Sequence, residues 1–190
     1  MKRLLVVVVI MLAVTAVSSA QLAFRGIGGA IGFVSVSFNG GSSTESMSGF
    51  LIAAHADLGE FAKDFVFYPD VEYFSTSKSI GGGTWKVSDF AINANAHYNI
   101  AMEGMLKPYV GAGLGINFFS TTAEATYTIP GYGTQTISAT GSATRLGINL
   151  LAGINYKLSD MLTLVVEPRY VIASDLNNFQ IKAGITYAMK

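Results

Sequence analysis

The chain has 190 residues with 12 basic and 12 acidic side chains, no cysteine, and an apolar fraction of 51%. Because the charges balance, the chain offers no basic surface for nucleic acid, and a nucleic-acid partner is excluded. The lack of cysteine excludes a disulfide framework and thiolate metal sites, and the length suits a single domain.

Residues 1–20 have the layout of a secretory signal peptide. Lys2 and Arg3 precede an apolar run over residues 4–14, and small residues lead up to Ala20. The apolar run is too short to span a bilayer as a helix. We therefore expect export, cleavage after Ala20, and a mature domain over residues 21–190 that carries ten basic and twelve acidic residues.

Eight segments of the mature domain alternate apolar and polar residues with a period of two, which predicts β-strands with one apolar face. In chain order they cover 22–38, 49–58, 65–75, 86–100, 108–119, 144–157, 162–174 and 179–189. Each is long enough to cross a bilayer at a tilt, which takes about 9–11 residues. In the first segment the alternation shifts near Phe33 and Val34, which predicts a β-bulge there.

The connections between these segments alternate in length. Those after odd-numbered segments cover 39–48, 76–85, 120–143 and 174–178, whereas those after even-numbered segments cover 59–64, 101–107 and 158–161. Short turns at one end and long loops at the other are typical of outer-membrane barrels, and a soluble sandwich gives no reason for this sorting. We predict an all-β, eight-stranded antiparallel up-and-down transmembrane barrel, closed by its first and last strands, with both termini on the periplasmic side.

The charged residues of the segments lie on the polar face. A charge that faces lipid at the bilayer midplane costs about 2–4 kcal/mol for Arg or Lys, whereas opposite charges inside a narrow barrel can pair. Charged residues at every second position would also suit the solvent face of a soluble sheet, but the signal peptide and the sorted lengths of the connections favour the barrel. We predict an interior charge network whose members are Asp70, Glu72, Arg145, Glu167, Arg169 and Lys182.

The longest connection, 120–143, has two β-prone arms around the turn residues 130–133. We interpret it as a protruding hairpin in which the fifth and sixth strands continue beyond the membrane. Its open edge would be available to a partner strand. The alternative is a solvated, irregular loop. The candidate interaction residues of the hairpin are Tyr127, Ile129, Tyr132 and Ile137.

Two motifs resemble one known family. The hairpin Leu151-Ala-Gly-Ile-Asn-Tyr-Lys-Leu-Ser-Asp-Met-Leu-Thr-Leu-Val-Val-Glu-Pro-Arg-Tyr170 is similar to the hairpin of the sixth and seventh strands in the small eight-stranded OmpA/OmpX-like outer-membrane barrels. Lys107-Pro-Tyr-Val-Gly-Ala-Gly-Leu-Gly115 resembles the fifth strand of that family. The resemblance implies a bacterial outer-membrane location and insertion by the barrel-assembly machinery. Family members typically end on an aromatic residue, whereas this chain ends Tyr187-Ala-Met-Lys190.

The sequence predicts no catalytic site, cofactor or metal site. His55 and Asp57 could form a general-base pair, but no nucleophile at a fixed spacing accompanies them. Asp70 and Glu72 alone are a weak set of metal ligands. Because side chains fill an eight-stranded barrel, we expect a monomeric, non-enzymatic protein in contact with outer-membrane lipid. Its role would be structural and adhesion-like, through loops that meet an extracellular or host-surface partner. A narrow porin-like channel is the alternative, and a lipid-modifying enzyme is a third reading.

Overall fold

The computed structural model describes residues 23–40, 43–80, 83–129, 133–174 and 176–189, so the predicted cleavage site and Tyr132 lie outside the described residues. The described residues form ten strands. These are β1 (Gly26–Gly40), β2 (Ser43–Asp57), β3 (Glu60–Ala62), β4 (Phe65–Phe67), β5 (Asp70–Ile80), β6 (Gly83–Asn99), β7 (Leu106–Ile129), β8 (Gly133–Lys157), β9 (Leu162–Ala173) and β10 (Leu176–Ala188).

The sheet closes on itself as a barrel of eight long strands, which confirms the predicted fold. All its pairings are antiparallel, and β1 pairs with β10 while β6 pairs with β7. β4 and β5 are two parts of one barrel strand, since both pair with β6 and only Tyr68 and Pro69 interrupt them. β3 is a short strand that pairs with β4. Closure pairs the backbone of the barrel wall, as a bilayer core requires.

The two ends of the barrel differ. We call one the terminal end, because β1 begins and β10 finishes there, next to the connections β2–β3, β6–β7 and β8–β9. The other is the hairpin end, where β1 turns into β2, β5 into β6, β7 into β8, and β9 into β10.

β1 contains no bulge at the predicted place. Its residues pair with β2 in an unbroken register from Gly26 opposite Asp57 to Gly40 opposite Ser43, and the pairing with β10 is equally continuous. Val34 points into the barrel and is buried there, whereas Phe33 points outward. The prediction is wrong because it assumed a polar interior along the whole barrel, so a buried valine was taken for a change of register.

Two of the predicted loops at the hairpin end are strand instead, and the third connection, 120–143, is strand as its predicted hairpin requires. Every described residue of 39–48, 76–85 and 120–143 lies in a β-strand. The alternation of apolar and polar residues is lost in 39–48 and 76–85 and weakened in 120–143, because the outward positions change from apolar residues mainly to serine and threonine, with charges such as Glu124. The backbone pairing continues, since threonine suits a strand and the ladder does not depend on what the outward side chain contacts.

An apolar band surrounds the middle of the barrel on its outward face. At the hairpin end it finishes in a ring of aromatic residues, each followed two positions farther out by serine or asparagine. The ring consists of Phe33, Phe50, Tyr73, Phe90, Phe118 and Phe179, and the polar residues beyond it are Ser35, Ser48, Ser75, Ser88, Ser120 and Asn177. Outward aromatic residues near the terminal end include Phe65, Tyr98, Tyr156 and Tyr187. Two aromatic girdles around an apolar band are typical of a barrel in a bilayer.

Among the described residues, none forms a helix long and apolar enough to cross a membrane, a finding that concerns helices alone.

Candidate functional site

Five charged residues meet inside the middle of the barrel. Asp70 and Glu72 come from β5, Glu167 and Arg169 from β9, and Lys182 from β10, and all five are buried. Alternation along each strand places these residues on the inward face, and closure brings β5 across from β9 and β10.

Arg169 is the centre of this interior network. Its Nη2 lies 2.5 Å from Asp70 Oδ2 and 2.8 Å from Glu167 Oε1, and its Nη1 lies 3.0 Å from Glu72 Oε1. Lys182 Nζ lies 3.1 Å from Glu167 Oε1 and also contacts Glu72. Three carboxylates therefore share two cations, and the guanidinium group is only 1% exposed. Such a group is stabilised only if its partners are in place, because a buried charge without a partner is costly.

Neutral side chains that the sequence analysis did not single out complete the network. Asn93 and Asn95 donate to the two carboxylate oxygens of Asp70, at 2.6 and 2.8 Å, and Tyr109 Oη donates to Glu167 Oε2 at 2.8 Å. Their inward parity was visible in the sequence. Their partners were not visible, since they depend on the register in which the strands pair and on the closure of the barrel.

Glycines make room for these side chains. A Cβ at Gly153 would collide with the ring of Tyr109, and a Cβ at Gly113 would collide with Asn95. The alternate glycines of β7 are therefore explained by crowding inside a narrow barrel.

Arg145 does not take part in the network as predicted. It lies on the inward parity of β8, but farther toward the hairpin end, where its Nη1 donates to the carbonyl oxygen of Ser174 after β9. A period of two shows which face a residue occupies and says nothing about its height along the barrel. The prediction of Arg145 as a network member is wrong for this reason.

The two histidines belong to a row of stacked rings toward the terminal end. The ring centroids of His55 and Tyr68 are 4.9 Å apart, those of Tyr68 and His97 are 4.5 Å apart, and those of His97 and Tyr109 are 4.4 Å apart. His55 Nε2 lies 2.8 Å from Thr186 Oγ1.

The general-base alternative for His55 and Asp57 finds no support in these contacts. Asp57 Oδ1 accepts a hydrogen bond from the backbone N–H of Gly59 at 2.8 Å, whereas His55 is held by Thr186 and the ring stack. Asp70 and Glu72, the weak set of metal ligands in the sequence, both contact the guanidinium group of Arg169. Within the described part of the chain, no group of three or more His, Cys, Asp and Glu side chains could hold a metal ion.

The interior offers little free volume. A cavity of about 20 Å³ lies between the ring stack and the ion network, next to His55, Tyr68 and Lys182. That volume suits a single water molecule. A larger recess of about 200 Å³, with Arg25, Lys107 and Lys157 in its lining, opens at the terminal end.

At the hairpin end a cluster of apolar side chains fills part of the interior, beside buried polar residues such as Thr76, Asp89 and Asn117. The buried residues of this hairpin-end core are Val34, Val36, Met47, Leu51, Phe74, Val87 and Phe119. They lie level with the aromatic ring and beyond it, where the outward face has become hydroxyl-rich. The barrel is therefore filled by ions in its middle and by a small hydrophobic core above them.

The connection 120–143 is an ordered hairpin made by the outer parts of β7 and β8. Its residues pair without interruption from Ser120 opposite Ser142 to Ile129 opposite Gly133. On its outer side, threonine hydroxyls face each other across the strands, with 3.2 Å between Thr122 and Thr140 and 3.2 Å between Thr126 and Thr136. We call this element the protruding hairpin.

The opposite side of the hairpin continues the inward face of the barrel and is apolar. Tyr127 is 44% exposed and Ile137 is 59% exposed. Trp85, at the start of β6 and opposite Ala123, adds a half-exposed indole that the sequence analysis missed. For the two remaining candidates, the backbone of Ile129 pairs with Gly133, and Tyr132 lies outside the described residues.

One strand of the hairpin has an open edge. β7 pairs with β6 as far as Ala125, but β8 pairs with β9 only from Gly147 onward. Among the described residues, 135–144 therefore pair on one side alone, and all of them are exposed. We call this stretch the open edge.

The chain matches one protein family along nearly its whole length. Residues 4–188 fit the model of the outer membrane protein beta-barrel domain. The chain belongs to this family. The apolar band is accordingly its lipid-facing surface, and the bacterial outer membrane is its location.

Individual relatives agree with this family. Over 83 residues the chain is 36% identical to an uncharacterized protein of Haemophilus influenzae, a match that spans 43% of this chain and 43% of that relative. Among solved structures, Neisserial surface protein A is similar with a TM-score of 0.55 and 18% identity, over 86% of this chain and 97% of that one. Ail, the attachment invasion locus protein of Yersinia pestis, is similar with a TM-score of 0.51 and 13% identity, over 87% and 99%. At these identities the two structures show the fold that this outer-membrane barrel shares with them.

Proposed function

We propose that this outer-membrane barrel is a surface-interaction protein that binds an external partner through the protruding hairpin. The observation that carries the proposal is the open edge, an ordered and exposed strand that extends past the lipid-facing band with one side unpaired. The barrel serves as the anchor that holds this strand at the surface.

The hairpin end faces outward in this proposal. Barrels of this kind have short turns on the periplasmic side and longer extensions outside. The described connections at the terminal end are short, and β1 begins and β10 ends there, whereas β7 and β8 extend farthest at the other end. The barrel-assembly machinery, as the expected insertion partner, would act from the periplasmic side.

The chemistry of the hairpin favours a protein strand as its partner. Main-chain hydrogen bonds would extend the sheet at the open edge, and Ile137 on β8 would contact an apolar side chain on one face of the added strand, with Tyr127 one strand farther on the same face. One solved structure of Ail is a complex with the heparin analogue sucrose octasulfate. Between residues 121 and 144 this chain has Glu124 as its one charged residue, which favours an uncharged peptide over a sulfated polysaccharide.

The filled interior supports an anchor over the porin-like alternative. The ion network occupies the middle of the barrel and the hairpin-end core occupies the passage above it. We expect no stable conductance above background when the purified protein is added to a planar bilayer. A steady single-channel current would favour the channel instead.

A shortened hairpin tests the proposal. Residues 123–139 are replaced by Asn-Gly, which joins the paired residues Thr122 and Thr140 through a two-residue turn. We expect cells with this variant to lose hairpin-dependent binding to host matrix. The folded barrel should remain, as shown by its resistance to unfolding in cold detergent on a gel.

A second variant controls for the removal of most of the hairpin from the cell surface. In it, the exposed apolar residues Tyr127 and Ile137 are both changed to serine while the backbone of the hairpin is kept. Binding should weaken but persist, because the open edge still offers its main-chain groups. If cells with the Asn-Gly variant bind as strongly as the wild type, the hairpin is not the functional site.

A further inference from the structure

We propose that the open edge of β8 pairs with the same edge of a second copy of this chain in a facing membrane. The protein would then join two surfaces by homotypic, antiparallel strand pairing. This inference rests on the proposed function, because it names a partner for the same hairpin.

The open edge lacks the features that normally prevent such pairing. Exposed edge strands are usually protected by lysine, by proline, by a bulge or by an inward charge. Residues 135–144 read Gln-Thr-Ile-Ser-Ala-Thr-Gly-Ser-Ala-Thr and contain no charge and no proline. Their register with β7 is unbroken. The stretch is long, regular and unprotected, as an edge that is meant to pair would be.

The open edge is also complementary to itself. Placing a two-fold axis at Thr140 sets residues of equal parity opposite each other, so the faces of the two hairpins match. On the hydroxyl side, Ser138 meets Ser142 of the second copy. On the apolar side, Ile137 meets Ala143 and Ala139 meets Gly141. No like charges are opposed, and no two bulky side chains compete for the same space.

The direction of β8 determines where the second copy must be. In two barrels of one membrane, β8 runs from the hairpin end to the terminal end in both copies, so their edges can meet only in parallel. To bring the two open edges together in this way, one copy must be turned by half a rotation about the strand direction. This turn places its apolar face beside the hydroxyl face of the other copy. Barrels in facing membranes present antiparallel edges with matched faces, which allows a continuous sheet.

The hairpin is long enough for this arrangement. Six residues separate Leu146, the outermost lipid-facing residue of β8, from Thr140 at the proposed axis. At about 3.3 Å per residue the distance is ~20 Å, so two lipid-facing bands would lie ~40 Å apart along the strands. Only surfaces without long polysaccharide chains could approach this closely.

Nanodiscs that each hold one full-length barrel provide the test, because both disc faces are open and a face-to-face pair has a defined mass. We expect sedimentation to show disc dimers that dissociate reversibly on dilution. Thr140→Glu places two negative charges opposite each other and should raise the dimer dissociation constant by about tenfold or more. Thr122→Glu is the matched control, since Thr122 lies opposite Thr140 on β7, beside Lys86 and away from the open edge. It should dimerise like the wild type.

Pairing of opposite charges then tests whether the two-fold axis lies at residue 140. Discs with Thr140→Glu and discs with Thr140→Lys should each stay monomeric, whereas their mixture should form dimers. The proposal is overturned if wild-type discs do not dimerise, if the two glutamate variants weaken the dimer equally, or if the mixture stays monomeric. Hairpin-dependent binding of cells to host matrix alongside monomeric discs would reject homotypic pairing and leave the proposed function standing.

Discussion

The middle of the barrel and its hairpin end are built in opposite ways. In the middle, the outward face is apolar and the interior holds Arg169 with three carboxylates. At the hairpin end, the outward face is rich in serine and threonine, and the interior gains a cluster of valine, leucine and phenylalanine beside a few buried polar residues such as Asp89. The same continuous strands pass through both regions.

The reversal shows that the medium around each region determines its amphipathic pattern. Inside lipid, apolar side chains gain nothing by turning inward, and the narrow interior can be filled by polar groups that satisfy one another. Outside lipid, the hydrophobic effect favours burial of apolar side chains, and the wall becomes that of a small water-soluble barrel. The change occurs between Phe118 and Ser120 on β7 and between Leu146 and Thr144 on β8.

Loss of the central cation should have the largest effect on this arrangement. Arg169→Met removes a guanidinium that contacts three buried carboxylates and leaves only Lys182 to balance them. We expect a loss of about 3–5 kcal/mol in the free energy of unfolding. Urea unfolding in phospholipid vesicles measures it. Arg25→Met is the matched control, since Arg25 is exposed and pairs with Glu60 at 3.9 Å, and an equal loss there would mean that Arg169 has no special role.

The hairpin-end core is tested by two neighbouring phenylalanines on opposite faces of β7. Phe119 is 6% exposed inside the core, whereas Phe118 is 43% exposed and faces lipid. Phe119→Ala should cost about 3 kcal/mol, because it leaves a cavity in packed side chains. Phe118→Ala should cost less, since lipid chains fill the space. The same unfolding measurement compares them, and the reverse order would mean that the apolar interior contributes little.

Loss of one carboxylate should have a smaller effect than loss of Arg169. Glu167→Ala removes the acceptor of Tyr109 but leaves Asp70 and Glu72 to balance Arg169 and Lys182. We expect a loss of about 1.5–3 kcal/mol, the range for hydrogen bonds to charged groups. Ile172→Ala on the lipid face should lower the unfolding midpoint much less. Equal shifts for the two variants would mean that the faces are assigned wrongly.

The exposed ion pair of the β8–β9 turn should have the smallest effect. The hydrogen bond and charge of Lys157, 2.9 Å away, lower the pKa of Asp160 below its ordinary value. A lowered carboxyl pKa stabilises the folded state above the pKa of the unfolded chain, and this contribution fades as the pH falls through the folded pKa. Because both side chains are exposed, salt screens the pair. Asp160→Asn should leave the unfolding midpoint unchanged at neutral pH in physiological salt. A clear drop would show that the turn contributes to stability.

Much of the molecule follows from the local pattern of the sequence. Alternation assigned Asp70, Glu72, Glu167, Arg169 and Lys182 to the inward face, and the sorted connections predicted a closed eight-stranded barrel. Both rest on a period of two, which is a property of the extended backbone itself. The β-prone arms of 120–143 likewise predicted a hairpin that the structure contains.

Other features depend on relations between strands, and no local pattern contains them. Three features follow from the register in which the strands pair. They are the height of Arg145 along the barrel, the row of rings from His55 to Tyr109, and the position of Trp85 opposite Ala123. The bulge predicted in β1 was wrong for a related reason, because the local alternation did not show that Val34 shares an apolar cluster inside the barrel with Phe74 and Val87 of other strands. The sequence thus determined which face each residue occupies. Closure of the barrel decided which residues share a height, because the stagger between paired strands is a property of the whole sheet.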